Sequence, residues 1–122
     1  MFELNKSEIL RDNKDFNDVY SKGRSYVSKN IIIHVLNDER YNGKVGFAAG
    51  KKLGGAVIRN RVKRLLRETY RLCKKNLRTD RALIIMGRKN LVNAKVDVAI
   101  KSFLELCKKA KLYTAEDIAE NN

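Results

Sequence analysis

The chain has 122 residues, 43% of them hydrophobic, which is enough for one domain with a modest core and too few for two. Its 27 Lys and Arg against 14 Asp and Glu give a formal net charge of +13 at pH 7, an excess that predicts a polyanionic partner, nucleic acid before an anionic membrane surface. No apolar run reaches the roughly 20 residues of a membrane-spanning helix and no signal-peptide pattern opens the chain, so a cytoplasmic protein is expected.

Hydrophobic periodicity and turn residues predict three helices and three strands. In chain order they are a helix over 14–22, strands over 26–36 and 44–49, a helix over 55–76, a strand over 82–86 and a helix over 93–112. Asn13 is predicted to cap the first helix and Gly23 to end it in a left-handed conformation. The order α-β-β-α-β-α predicts an α+β two-layer sandwich, one domain over 1–112. An acidic tail over 113–122 is predicted to be frayed or disordered.

The positive charge is concentrated in one segment. Residues 51–78 hold eleven of the 27 bases and one of the 14 acids, Glu68. In the central helix, bases recur every four residues from Arg59 to Arg71, where a merely solvated face would interleave acids. This face is interpreted as a phosphate-binding ridge, and a solvated helix face is the alternative. The opposite, apolar arc comprises Ile58, Val62, Leu65, Leu66, Thr69, Leu72 and Cys73.

The segment GKKLGGAVIRNRVKRLLRE, residues 50–68, closely resembles the signature of the bacterial ribonuclease P protein subunit, with Arg-Asn-Arg at 59–61. The resemblance covers residues 10 to about 112. It implies that the basic helix joins two parallel strands by a left-handed crossover, against the usual right-handed preference. It also implies a subunit of an endoribonuclease that removes the 5′ leader from precursor tRNA. In that enzyme the RNA subunit does the chemistry and holds the magnesium ions. The chain departs from the family at His34, where an aromatic residue is frequent, and in its acidic tail.

The resemblance implies two RNA-binding surfaces. The first would dock on the catalytic RNA through Lys51, Lys52, Arg59, Asn60, Arg61, Lys63, Arg64, Arg67 and Arg71. The second, a cleft for the single-stranded leader, would be lined by Phe16, Tyr20, Lys29 and His34. By spacing alone, Phe16 and Tyr20 fit a core stripe of the first helix equally well, so core and cleft both remain open.

The titratable residues are too scattered to predict catalysis by the protein. The only histidine, His34, fits ordinary packing on a sheet face. Cys73 and Cys107 are predicted to be free and buried, with neither a disulfide nor a zinc site. No catalytic residue and no metal site are therefore predicted in the protein. The alternative function is a ribosomal or other structural RNA-binding protein, and a stand-alone nuclease is a more distant one.

Overall fold

The structure, a computed structural model, describes residues 6–113 and contains a four-stranded sheet with helices on both faces. The helices are α1 (Asn13–Lys22), α2 (Ala56–Cys73) and α3 (Val96–Lys109). The strands are β1 (Arg24–Val27), β2 (Ile31–Leu36), β3 (Val45–Ala49) and β4 (Ala82–Gly87). Their order in the sheet is β1-β2-β4-β3, with β3 and β4 parallel and the other two pairs antiparallel. The predicted α+β class is confirmed.

The strand predicted over 26–36 is two strands, so the observed order is α-β-β-β-α-β-α. A turn separates them at Ser28, whose Oγ donates to the Ile31 carbonyl at 2.9 Å and accepts from the Ile31 N–H at 3.1 Å. The single-strand prediction was wrong because β-branched residues on both sides masked a three-residue polar turn, 28–30.

Side-chain alternation along the strands divides the core between the two faces of the sheet. On one face, Ile33, Val45 and Ile85 belong to the larger cluster, which packs against α2 and α3. On the other face, Leu36 and Ile84 belong to a smaller cluster beneath α1. The two-layer prediction therefore describes the sheet with α2 and α3, and α1 adds a short third layer on the opposite face.

The packed face of α2 agrees with the predicted apolar arc in all but one place. Leu72 is 49% exposed, and Tyr70 is buried instead. The Tyr70 ring centroid lies 6.1 Å from that of Phe47 on the sheet and 6.4 Å from that of Phe103 on α3. The prediction for Leu72 was wrong because α3 packs against the side of α2 that carries Tyr70 and leaves Leu72 exposed. Both cysteines are buried and free, as predicted.

The connection from β3 through α2 to β4 is left-handed. Val45 and Phe47 direct their side chains to the α2 face of the sheet. The backbone of Val45 faces away from β4, since its carbonyl accepts from the Leu10 N–H at 2.9 Å. For L-residues this geometry places β4 to the left of β3 when the sheet is viewed from α2 with β3 pointing up. The handedness that the family resemblance implies is therefore present.

Both ends of α1 differ from the prediction. The helix begins at Asn13, and Asp12 occupies the cap position without a side-chain cap bond. Gly23 has a φ of −80° and an extended conformation, because the chain passes directly from α1 into β1. Close packing is what requires glycine there: a Cβ would lie 2.5 Å from the Val19 carbonyl oxygen and 2.8 Å from that of Val35.

A hydrogen bond ties the connection between β2 and β3 to α1. The Tyr41 ring is buried, and its hydroxyl donates to Asp18 Oδ2 at 2.5 Å. This bond lowers the pKa of Asp18 and raises the pKa of Tyr41 to about 12. A carboxylate whose pKa is lowered on folding stabilises the fold above its unfolded pKa, and the stabilisation is lost as pH falls through the folded pKa. The tyrosine, whose pKa is raised, loses its contribution as pH rises toward 12.

We expect Tyr41→Phe to lower the melting temperature at pH 7, because Asp18 then loses its donor. The difference from the parent protein should narrow below pH 3.8, the ordinary pKa of the carboxyl, as Asp18 takes up its proton. Thermal melts at pH 7 and pH 3 measure this change. Tyr26→Phe is the control, since the Tyr26 hydroxyl makes no hydrogen bond within residues 6–113. A Tyr41→Phe deficit that stays constant with pH would contradict the assignment.

Candidate nucleic-acid interface

The outer side of α2 carries six polar side chains that we call the α2 basic face: Arg59, Asn60, Arg61, Lys63, Arg64 and Arg67. All except Arg59 are exposed. Within the described part of the chain, no ion pair involves any of them. Asn60, Lys63, Arg64 and Arg67 together line a shallow cavity of about 280 Å³. The cavity is open to solvent and lined by three cations, a setting suited to backbone phosphates.

Arg59 differs from its neighbours because it is partly buried. Its Nε is buried and has no hydrogen-bond partner among residues 6–113. A buried polar group left without a partner costs about 1–3 kcal/mol, and more when it is charged. An acceptor from a bound polyanion would remove that cost.

The carboxyl-terminal end of α2 is electrostatically different from its beginning. Arg71 forms a two-pronged ion pair with Glu68, with Nη2 2.5 Å and Nε 3.1 Å from the two carboxylate oxygens. Lys74 Nζ lies 2.6 Å from Glu8 Oε2. Both ends of these pairs remain partly exposed. Within residues 6–113, the bases on the first turns of the predicted ridge therefore have no acidic partner. At the end of the ridge, the charge of Arg71 is balanced by Glu68.

Three of the predicted cleft residues meet where α1 packs on the sheet. Phe16 and Tyr20 are on α1, and His34 is on β2 beneath them. Phe16 packs over Gly46 on β3, where a Cβ would lie 2.5 Å from the ring atom Cζ. The Phe16 and Tyr20 ring centroids are 6.1 Å apart, and Tyr20 meets His34 edge to face at 4.8 Å. All three side chains are half-buried. They form part of the packing beneath α1 and also present ring surface to solvent.

The electrostatic character of this aromatic group is neutral. Burial lowers the pKa of His34, which favours the uncharged imidazole at neutral pH. Burial also raises the pKa of Tyr20, which keeps its hydroxyl protonated. His34 therefore contributes a ring face and hydrogen-bonding nitrogens to this site.

Beyond α1, side chains on the same face of the sheet are partly exposed. Ile32 on β2, Met86 on β4 and Ala48 on β3 are neighbours in the strand register and are half-buried. Val27, which pairs with Ile32, is 52% exposed. These side chains make an apolar floor that runs on from Phe16, Tyr20 and His34. We call the rings and this floor the cleft.

Lys29 lies at the far end of the cleft from the aromatic group. It is on the turn between β1 and β2, five residues from His34, which is about 16 Å along an extended chain. There it lines a cavity of about 250 Å³ with Arg88, Lys89 and Asn90. Arg88 is held in place because its Nη1 donates to the Ser28 carbonyl at 2.8 Å.

Lys51 and Lys52 lie at this same end of the sheet. The carboxyl ends of the parallel strands β3 and β4 coincide, because Ala49 is in register with Gly87. The residues that follow each strand are therefore brought to one edge. We call the resulting exposed cations the basic rim: Lys29, Lys51, Lys52, Arg88 and Lys89. Sequence reasoning missed Arg88 and Lys89, although a basic pair directly after an apolar strand was a usable signal.

Thus the structure divides the predicted site residues differently from the sequence. Lys51 and Lys52, predicted with the α2 residues, are exposed on the basic rim between the start of α2 and the end of the cleft. Lys29, predicted beside the rings, is on the rim too. Phe16, Tyr20 and His34 come together as predicted, and so do the residues of the α2 basic face.

Within residues 6–113, no three His, Cys, Asp or Glu side chains come together to hold a metal ion, so these residues do not fit a magnesium site. None of the helices in the described part of the chain has the length and apolarity needed to cross a bilayer. The fold and its surfaces define a small, basic α+β protein whose exposed cations suit a polyanionic partner.

Known proteins resemble the chain over most of its length. Residues 4–111 match the family model described as Ribonuclease P, and the chain belongs to that family. The ribonuclease P protein component of Alkaliphilus metalliredigens is 37% identical over 109 residues, covering 89% of this chain and 98% of the relative. That of Natranaerobius thermophilus is 41% identical over 103 residues, covering 84% and 90%. The solved Staphylococcus aureus RNase P protein superimposes with a TM-score of 0.77 at 26% identity, covering 89% of this chain and all of that one.

Proposed function

We propose that this protein is the subunit of a bacterial ribonuclease P that binds the catalytic RNA and the 5′ leader of precursor tRNA. Membership of the ribonuclease P family makes it a component of an endoribonuclease with an RNA partner. The finer assignment gives the α2 basic face to the catalytic RNA and the cleft, with its basic rim, to the leader. The same assignment places the protein in the cytoplasm, and the ribosomal alternative is set aside.

The observation that carries the proposal is the charge distribution on α2. Five bases on its first turns have no acid partner within residues 6–113, and the ion pairs begin only at Arg71. Like charges at this spacing destabilise an isolated helix by a few tenths of a kcal/mol per pair. Neutralisation by RNA phosphates turns this repulsion into binding free energy through counterion release.

The cleft supports the leader assignment. Half-buried rings beside an exposed apolar floor suit unpaired bases, which stack with little sequence selectivity. The basic rim at the far end supplies charge for the strand's phosphates. A duplex buries its base faces, so a cleft of this kind favours single-stranded RNA over paired RNA.

The two surfaces are joined through one strand. Gly46 lies under Phe16 on the cleft side of β3, while Phe47 faces α2 and has the Arg67 guanidinium 5.6 Å from its ring centroid. Successive residues of a strand point to opposite faces, so β3 fixes the cleft relative to the α2 basic face. A catalytic RNA bound to α2 and a leader bound in the cleft would therefore be held at a fixed distance and orientation relative to each other.

The chemistry of cleavage is assigned to the RNA subunit, which would also hold the magnesium ions. The scattered acids of the protein support this division, since no carboxylate cluster is present in the described residues. The protein's contribution is to bind and orient the precursor. The protein therefore raises the affinity for precursor tRNA, and the groups that cleave it belong to the RNA subunit.

Reconstitution with the RNA subunit of a bacterial ribonuclease P tests the proposal. The protein alone should not cleave precursor tRNA. Added to the catalytic RNA, it should strengthen binding of precursor tRNA more than binding of mature tRNA, which lacks the leader. Equilibrium binding and single-turnover cleavage measure these effects. Robust cleavage by RNA-free protein, or equal strengthening for both tRNAs, would contradict the assignment.

A further inference from the structure

A second groove borders the α2 basic face on the side of the amino-terminal segment. Its volume is about 350 Å³, within the range of small-ligand sites. It is lined by Ile9, Leu10, Arg11, Phe47, Lys63 and Arg67. Three of these residues are cations from two separate elements, and the other three give the groove an apolar wall.

The amino-terminal segment that carries Arg11 is fixed at both ends. Leu10 is 3% exposed, and its N–H donates to the Val45 carbonyl at 2.9 Å, which attaches the segment to the free edge of β3. Glu8 is held by its ion pair with Lys74 near the end of α2. The segment therefore runs antiparallel to α2, and Arg11 arrives beside Lys63 and Arg67.

The cations in this groove, Arg11, Lys63 and Arg67, have no acidic partners among residues 6–113. Other bases of the chain, such as Arg40, Arg78 and Arg81, are paired with nearby aspartates. Three convergent unpaired cations repel one another, so an anion placed among them is attracted by all three.

We infer that this groove binds one backbone phosphate of the catalytic RNA, with the attached ribose against the half-buried Ile9. Arg11 and Arg67 offer planar guanidinium donors to the phosphate oxygens, and Lys63 offers a third cation. The inference rests on the proposed function and extends it, because Arg11 lies outside α2 and outside the signature segment. The RNA contact thus continues from α2 across the edge of β3 to the segment that leads into α1.

The test compares Arg11→Ala with Lys101→Ala, a matched loss of one exposed charge on α3. Arg11→Ala should weaken binding to the catalytic RNA about 5- to 30-fold and reduce the salt slope by about 0.7–0.9, the value of one phosphate contact. Lys101→Ala should change neither. Arg11 is exposed, so thermal melts of both variants should match the parent protein.

A double-mutant cycle with Arg67→Ala tests whether one phosphate is shared. If both guanidinium groups bind the same phosphate, the loss in Arg11→Ala/Arg67→Ala should be smaller than the product of the two single losses. A loss equal to that product would overturn the shared site.

Three further outcomes would overturn the inference. In the first, Arg11→Ala and Lys101→Ala bind the catalytic RNA equally well, while the triple variant at Arg59, Lys63 and Arg67 binds it more weakly. That result would show that the groove is not a phosphate site and would leave the proposed function intact. An effect of Arg11→Ala on precursor tRNA alone would assign Arg11 to the leader. If the triple variant is also unaffected, the proposed function fails with the inference.

Discussion

Replacing Arg59, Lys63 and Arg67 together by alanine should weaken binding to the catalytic RNA more than any other change on this protein's surface. Each lost phosphate contact is expected to reduce the salt slope by about 0.7–0.9, so the triple variant should lose roughly 2–3 units. At about 1–2 kcal/mol for each contact, affinity should fall by two to four orders of magnitude. Folding should be preserved, because Val62, Leu66 and Tyr70 on the packed face are untouched.

The measurement is RNA affinity at several salt concentrations, accompanied by a thermal melt. The control is a triple alanine variant at Lys101, Lys108 and Lys109, which removes the same charge from the exposed side of α3. This control separates specific contacts from the effect of net charge alone. An unchanged affinity and salt slope in a folded α2 variant would show that the α2 basic face is a solvated helix face.

Phe16→Ala and Tyr20→Ala should each weaken binding of precursor tRNA by about 1–3 kcal/mol, the value of one stacked base. Mature tRNA has no leader, so its affinity should not change. Affinity for the catalytic RNA should also hold, because that contact lies on the opposite face of the sheet. The measurements are paired affinities of the reconstituted holoenzyme for precursor and mature tRNA.

Both variants should also lose some stability, because each ring is half-buried and Phe16 rests on Gly46. The loss should be well below the ~3–5 kcal/mol of a fully buried phenylalanine. Tyr20→Phe separates the two contributions: it keeps the ring and should retain most of the precursor affinity. A large fall in melting temperature with equal losses for both tRNAs would show that the rings serve the core alone.

Core and cleft were equally consistent with the spacing of Phe16 and Tyr20, and the structure shows why. Periodicity reports that two side chains share a helix face, but not how much of that face the neighbouring element covers. Here α1 is short and lies over only one end of its sheet face. Val19, between the two rings, is fully buried, while the rings project to the edge of the contact.

The amino-acid sequence by itself determined the fold class, most of the helices and strands and the concentration of positive charge on α2, whereas the cleft was implied only by the family resemblance. Most of the charge excess lies within residues 51–78, and the Arg-Asn-Arg segment and the apolar strand after it are short local patterns. The predictions for the strand β4, for the buried free cysteines and for most of the packed face of α2 are confirmed on that basis.

Tertiary structure decided how residues distant in the chain are grouped. Lys29, Lys51 and Arg88 share one edge only because β3 and β4 are parallel and in register and the hairpin of β1 and β2 ends beside them. Glu8 neutralises Lys74, and Arg11 joins Lys63 and Arg67, because the amino-terminal segment runs along α2. Sheet order and strand direction are set by packing summed over the whole domain. No local pattern in the sequence contains that information, and the composition of both candidate surfaces depends on it.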